Sequence, residues 1–224
     1  SGFPKAFRPF LLLAALVLYI FHSLILRNQV HNIFSRDITW GKTQLAAIAV
    51  SMLFGFFVYL CLLIAVCLLF TKNPAFLKLT KEFLIYFVPM MLLLLCTWPG
   101  IFKGDEFYVL QAARSLTLSP AQTGITSLFY IACLRFFPSM ASISFFQIVI
   151  ICCIYACIFS MLKSVYPGRK LILCRLVCFF LPVMDGNLFT LRATLVGWIF
   201  LLIMCICFCS WKKQLLTTKR LIVV

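Results

Sequence analysis

Acidic residues are scarce in this chain. Only five Asp and Glu stand against 20 Lys and Arg in 224 residues, and the formal net charge at pH 7 is +15. Three of the five acids, Asp105, Glu106 and Asp185, lie at the ends of long apolar segments. Ionisable residues at such places in an apolar chain are more often functional than decorative, so these three carboxylates are the first candidates for chemistry.

The chain also lacks a polar stretch long enough to form a soluble domain. Hydrophobic residues make up 64% of it, and the mean hydropathy is +1.12. A soluble domain of this length cannot bury so much apolar surface in its core, so the excess must face lipid. We predict an all-α polytopic membrane protein, because an open chain satisfies its backbone inside a bilayer only as helices.

Neither the cysteines nor the positive charge indicates a metal site or a nucleic-acid partner. Most of the 12 Cys lie within apolar runs, where Cys packs as a small hydrophobe, and His22 and His31 are far from any Cys cluster. A structural zinc site is therefore not expected. The basic residues lie in short loops between apolar runs, a pattern that orients membrane proteins, and no nucleic-acid-binding motif accompanies them.

Seven apolar segments suggest the topology. Arg135 interrupts the fourth segment and Pro138 ends it, so we interpret it as an interfacial helix on the outer side. Most basic loops then fall inside, and the prediction is about six transmembrane helices plus one juxtamembrane helix, with both termini cytoplasmic. Within the fifth segment, Gln147 and Tyr155 are expected to hydrogen-bond to neighbouring helices. The segments are 9–26, 45–70, 83–99, 121–138, 141–162, 171–184 and 188–209.

The acidic pair lies in a stretch with a chemical use. Residues 98–120 read WPGIFKGDEFYVLQAARSLTLSP, in which Pro-Gly breaks the preceding helix and Asp105-Glu106 opens a short one. Two external carboxylates can bind a divalent cation, orient a sugar hydroxyl or act as a general base, and Asp185 on the next external loop can complete the site. The alternatives are a solvated loop at 105–106 and a turn or helix cap at Asp185-Gly186-Asn187.

The order of these features resembles the start of the GT-C membrane glycosyltransferases, and most closely the protein O-mannosyltransferase and lipid A aminoarabinose transferase group. D-E-x-Y-x-x-x-A-A-R at 105–114, an apolar juxtamembrane helix, a long helix, a basic loop and Met184-Asp185 carry the resemblance. It implies sugar transfer from a polyprenyl-phosphate carrier on the external face, in cell-envelope glycan or lipid modification at a bacterial plasma membrane. The bilayer and the carrier-linked sugar are the implied partners.

The resemblance also implies roles for single residues. Asp105 matches the catalytic acid of the first external loop, with Glu106 beside it, and Asp185 matches the second acid. If a divalent cation takes part, Asp105 and Glu106 are its predicted ligands. Tyr108 is a predicted substrate contact. Arg114 and Arg192 are predicted from their charge alone to contact the carrier phosphate.

The resemblance covers residues 83–210, which we expect to form a GT-C-like module. Residues 1–82 would add two leading transmembrane helices with a basic loop, and 211–224 a basic cytoplasmic tail. Because the chain begins with Ser1, we expect a piece of a longer protein. The alternative functions are a non-catalytic membrane subunit, a lipid or glycan carrier, or an inactive fragment of such an enzyme. A transporter is third, since transporters place ionisable groups near the midplane and these acids lie at helix ends.

Overall fold

The computed structural model describes residues 7–34, 41–119, 124–166, 171–190 and 192–222, and for residues 7, 8, 192 and 213–222 it describes the backbone alone. The regular structure in this part of the chain is helical, with loops between the helices and one isolated bridge between Ile101 and Phe189, which confirms the predicted all-α class. The helices are α1 (Phe7–Ile25), α2 (Arg27–Ile33), α3 (Lys42–Phe70), α4 (Pro74–Cys96), α5 (Gly104–Arg114), α6 (Gly124–Phe136), α7 (Ala141–Val165), α8 (Leu171–Cys178), α9 (Leu181–Gly186) and α10 (Arg192–Ile222).

Four helices in the described part of the chain, α3, α4, α7 and α10, are long and apolar enough to cross a membrane. A fifth crossing results if α1 and α2, which meet at an angle of 63°, form one bent span. The protein is thus an integral membrane protein by helix length and composition. The finer prediction of about six crossings is not confirmed by length. Helix α6, which the sequence predicts as the juxtamembrane helix and not as a crossing, has 13 residues and measures about 20 Å, shorter than the ~30 Å hydrocarbon core.

The predicted crossing at 171–184 is two short helices rather than one. Helix α8 has eight residues and α9 has six, and Phe180 between them has an extended backbone with ψ of 127°. Pro182 lies at the start of α9, where its missing N–H is tolerated. In a continuous helix the same proline would remove a hydrogen bond and clash with the preceding turn, so the helix breaks just before it.

The chain folds into two compact units. The first unit comprises residues 1–73 and 102–143, and the second comprises 74–101 and 144–224. The first unit therefore holds α1, α2, α3, α5 and α6, and the second holds α4, most of α7, α8, α9 and α10. The domain limits at 82 and 210, which were drawn from hydropathy and from the resemblance, stay a prediction.

In the first unit, α1 packs closely against α3. A Cβ added to Gly55 of α3 would lie 2.4 Å from Cε2 of Tyr19 on α1, so a side chain at this position would require the Tyr19 ring to shift. Three residues after Tyr19 on α1, His22 Nε2 donates to the carbonyl oxygen of Phe136 at 2.6 Å, since a carbonyl can only accept. His22 Nδ1 then accepts from the hydroxyl of Tyr59 at 2.9 Å. One imidazole thereby links α1, α3 and α6.

In the second unit, α7 is the central helix. More than half of its most apolar stretch, 56%, is buried, against 17% for α10 and 22% for α4. Its Tyr155 ring stacks on Tyr86 of α4, with centroids 4.4 Å apart. At the far end of α7, Lys163 and Arg175 both donate to the buried carboxylate of Glu82, which joins α4, α7 and α8. The outer helices leave most of their apolar surface for lipid.

Candidate functional site

Asp105 lies in the first turn of α5 with an exposed side chain. The helix begins after Lys103, whose backbone is extended at φ −103° and ψ 175°. No ion pair links Asp105 to a cation in the described ranges. Its carboxylate is thus exposed on the first of two short helices, α5 and α6, that stand between the long helices α4 and α7 along the chain.

Glu106 is placed quite differently from its neighbour. Its side chain is 1% exposed, and its Oε2 accepts a hydrogen bond from the backbone N–H of Lys103. The backbone N–H of Glu106 donates in return to the carbonyl of Lys103 at 3.1 Å. The bond to the Glu106 carboxylate is the N3 half of a capping box, which satisfies an otherwise orphaned donor at a helix start. Glu106 therefore fixes where α5 begins.

The environment of Glu106 disfavours its charged form. Burial raises the pKa of its carboxyl above the usual 4.5, and the hydrogen bond from Lys103 opposes this only in part. The other oxygen, Oε1, is buried and finds no hydrogen-bond partner among the described residues. One carboxylate of the pair is thus exposed, while the other is committed to the backbone.

The remaining predicted residues of α5 divide between two sides of the helix. Tyr108 is three residues after Asp105 and 66% exposed, so the two side chains share a face. Arg114 is nine residues after Asp105, which places it half a turn round and about 14 Å along the axis. Its Nε donates to the carbonyl of Ile33 at 2.8 Å and ties α5 to the end of α2. The structure therefore brings Tyr108, but not Arg114, to the side of Asp105.

Asp185 and Arg192 belong to the second unit, whereas Asp105 lies in the first. Asp185 is exposed in the last turn of α9. Arg192 begins α10, and its side chain is outside the described part of the structure. Each unit carries its own acid, and the predicted pairing of Asp105 with Asp185 stays a prediction.

A buried polar network holds the chain that follows Asp185. The Nε2 of Gln147 on α7 donates to the carbonyls of Asn187 and Phe189, at 2.9 and 2.6 Å. The side chain of Asn187 donates to the Tyr86 hydroxyl at 2.9 Å and accepts from the indole N–H of Trp198 at 2.7 Å. These bonds fix residues 187–189 against α4, α7 and α10.

This network decides two predictions from the sequence. Gln147 does make hydrogen bonds, but its partners lie in the loop after α9, so the predicted bonds to neighbouring helices are not the ones the structure shows. The matching prediction for Tyr155 is wrong for the part of the chain that the structure describes, because its buried hydroxyl has no partner there. The sequence indicates only a turn or cap role for Asn187, through its place in Asp-Gly-Asn.

The two carboxylates of the acidic pair differ in what they could offer to the predicted divalent cation. Glu106 is buried and bonded to the backbone, so only Asp105 can offer an exposed carboxylate. Across the described ranges, no group of three or more His, Cys, Asp or Glu is placed to hold a metal ion. Mg²⁺ sites generally use one or two carboxylates with substrate phosphates, and Asp105 supplies the exposed one here. The divalent cation stays a prediction from the sequence, and no chemical step depends on it.

Comparisons with protein-family models, with curated proteins and with solved structures each found no match. The resemblance to the GT-C class therefore rests on the residues at 105–114, on Met184-Asp185 and on the order of helices between them.

Proposed function

We propose that this chain is a membrane glycosyltransferase-like protein that takes sugar from a polyprenyl-phosphate carrier on the external face of a bacterial plasma membrane. The observation that carries the proposal is the contrast within the acidic pair. Glu106 is buried and caps α5, while Asp105 beside it is exposed and makes no ion pair among the described residues. The helix start is thereby fixed, and one carboxylate is left available for chemistry.

In the proposed reaction Asp105 is the general base. Its carboxylate accepts the proton of the acceptor hydroxyl, the oxygen attacks the anomeric carbon of the donor sugar, and the carrier phosphate leaves with the bonding electrons. A base positioned in this way accelerates a reaction by roughly 10²–10⁴-fold. Tyr108 shares the face of Asp105 and is proposed to contact the sugar. Arg114 lies on the other side of α5 and has no part in this step.

The short helices between long ones also support the proposal. Along the chain, α5 and α6 stand between α4 and α7, and neither is long enough to cross a bilayer. The GT-C class carries its catalytic acid on the first external loop, with a juxtamembrane helix after it. The agreement in helix order is a fold-level analogy, so the proposal depends on the chemistry of Asp105.

We further propose that α8 and α9 together form one broken crossing, the sixth. Arg175 of α8 meets Glu82 beside Lys163, near the end of α7, whereas Phe189 is held by Gln147 near its start. Sixteen residues of helix separate Lys163 from Gln147, or about 24 Å of the ~30 Å core. A chain that meets α7 at both levels has travelled most of the way across.

The proposed crossing implies on which side of the membrane Asp185 lies. Phe189 pairs with Ile101, which follows the end of α4 by five residues. Asp185, four residues before Phe189, is therefore at the end of the second unit where α4 ends and α7 begins. In the sequence Asp105 follows Ile101 by four residues. The proposed topology, with cytoplasmic termini, accordingly keeps both acids on the external face.

The decisive test is Asp105→Asn in the full-length protein. Membranes that contain it are incubated with radiolabelled polyprenyl-phosphate-linked hexoses and pentoses, and label transferred to the lipid and glycan fractions is counted. We expect the loss of the base to reduce transfer by roughly 10²-fold or more. Lys78→Gln, an exposed change at the start of α4, is the control and should leave transfer unchanged.

Two results would contradict the proposal. If the unaltered protein transfers none of the sugars while it is folded and inserted, the chain is not an active enzyme of this class. If Asp105→Asn transfers sugar at the normal rate, Asp105 is not the base. In either case a non-catalytic membrane subunit becomes the better account.

A further inference from the structure

The first unit contains a long apolar groove with the basic side chain of Arg135 at one end. It has a volume of about 890 Å³ and runs between α1 and α3. Its lining is almost entirely aliphatic and aromatic, and among the described residues Arg135 of α6 is its one charged member. The lining residues on α1 extend from Pro9 to Leu24, which is about 22 Å of helix.

The position of Arg135 within the groove follows from its neighbour. Phe136 accepts the hydrogen bond of His22 near the end of α1 and stacks on the same ring, with centroids 4.6 Å apart. Arg135, the preceding residue in the chain, therefore lies toward the end of the groove that Ser23 and Leu24 line, and not toward the end lined by Pro9. The groove has a polar end, with a guanidinium and a hydroxyl, and an apolar remainder.

Arg135 makes no ion pair in the described part of the chain, where both ion pairs involve Glu82. Guanidinium groups bind phosphate oxygens through two parallel hydrogen bonds, and anionic lipid surfaces attract basic residues. The groove, at ~22 Å, is longer than one leaflet is thick and shorter than the full ~30 Å hydrocarbon core. It can therefore accommodate an acyl chain that enters from one side of the bilayer.

We propose that this groove is a binding site for an anionic diacyl phospholipid, with the phosphate on Arg135 and an acyl chain along α1 and α3. The proposal is independent of the proposed sugar transfer, because it uses no residue of α5. Dependence of binding on the headgroup charge would distinguish this specific lipid from the annular lipids that surround the protein.

The test is native mass spectrometry of the full-length protein in detergent, titrated with phosphatidylglycerol or with phosphatidylcholine of the same acyl chains. We expect about five-fold tighter binding of phosphatidylglycerol, the factor that one basic residue contributes at a membrane surface. Arg135→Gln should abolish this preference, and Arg135→Lys should keep most of it. Lys78→Gln removes an equal charge outside the groove and should change nothing.

A second variant tests the groove itself. Ser23→Trp fills the polar end of the groove without removing a charge, and we expect it to weaken binding of both lipids several-fold. Size-exclusion profiles identify any variant that fails to fold, and Arg135→Lys then stands in for Arg135→Gln with an intermediate loss expected. The proposal is overturned if both lipids bind the unaltered protein equally, if Arg135→Gln keeps the preference, or if Ser23→Trp binds normally.

Discussion

Asn187 is the residue whose replacement should most weaken the second unit. Asn187→Ala removes one hydrogen bond to the Tyr86 hydroxyl and one from the Trp198 indole. Each such bond is worth about 0.6 kcal/mol inside a membrane protein. The Trp198 N–H is also left buried without a partner, which costs about 1–3 kcal/mol. We therefore expect the free energy of unfolding to fall by about 2–4 kcal/mol.

The assay is reversible unfolding in mixed micelles with increasing SDS, followed by circular dichroism. Thr194→Ala is the matched control, because its hydroxyl lies at 3.4 and 3.5 Å from its acceptors, at the limit of a hydrogen bond. We expect this control to change stability by less than about 0.5 kcal/mol.

A double-mutant cycle isolates the bond between Asn187 and Trp198. Trp198→Phe removes the N–H that Asn187→Ala leaves stranded, so the double variant should lose less stability than the two single losses added together. We expect a coupling of about 1–2 kcal/mol. Strict additivity, or a loss for Asn187→Ala no larger than for Thr194→Ala, would refute the reasoning that this network holds the loop after Asp185.

Two further predictions concern the first unit. Gly55→Ala should weaken the packing of α1 against α3, because the added carbon would lie 2.4 Å from the Tyr19 ring. Gly197→Ala is the control, because its added carbon meets nothing within 4 Å. This control should leave the unfolding free energy unchanged or raise it by up to about 1 kcal/mol. SDS titration of both variants checks this, and equal effects would contradict it. For Glu106, the raised pKa means that its contribution to the unfolding free energy declines as pH rises above about 4.5. Glu106→Gln, which keeps an acceptor for Lys103, should flatten that decline in unfolding measured from pH 4 to 8, and an unchanged slope would contradict the assignment.

Hydropathy predicts the class and most of the long helices of this protein. Apolar runs of nearly 20 residues or more leave the backbone no alternative to helix within lipid, so the segments that became α3, α4, α7 and α10 were readable in advance. The break between α8 and α9 is not predicted by hydropathy, because the residues around Pro182 are apolar and a hydropathy value does not reflect the missing N–H of proline.

The candidate site was predictable in its residue types but not in its geometry. Two adjacent carboxylates look equivalent in sequence, yet Asp105 is exposed and Glu106 is buried in a cap. The usual signal for such a cap is Ser, Thr, Asp or Asn three residues before Glu, and here Lys103 takes that place. The two basic residues that bind Glu82 lie 81 and 93 residues away from it in the sequence. The side-chain partners of Asn187 lie 11 and 101 residues away. Local sequence patterns carry no information at these separations.

The central claim is that Asp105 and Asp185 lie on the external face, and accessibility labelling tests it most directly. Asp105→Cys, Asp185→Cys and Lys78→Cys are each introduced into the full-length protein with its native cysteines replaced, and intact cells are treated with a membrane-impermeant maleimide. The account predicts that the cysteines at 105 and 185 are labelled from outside and the one at 78 only after permeabilisation. Labelling of positions 105 and 185 from opposite sides would contradict it.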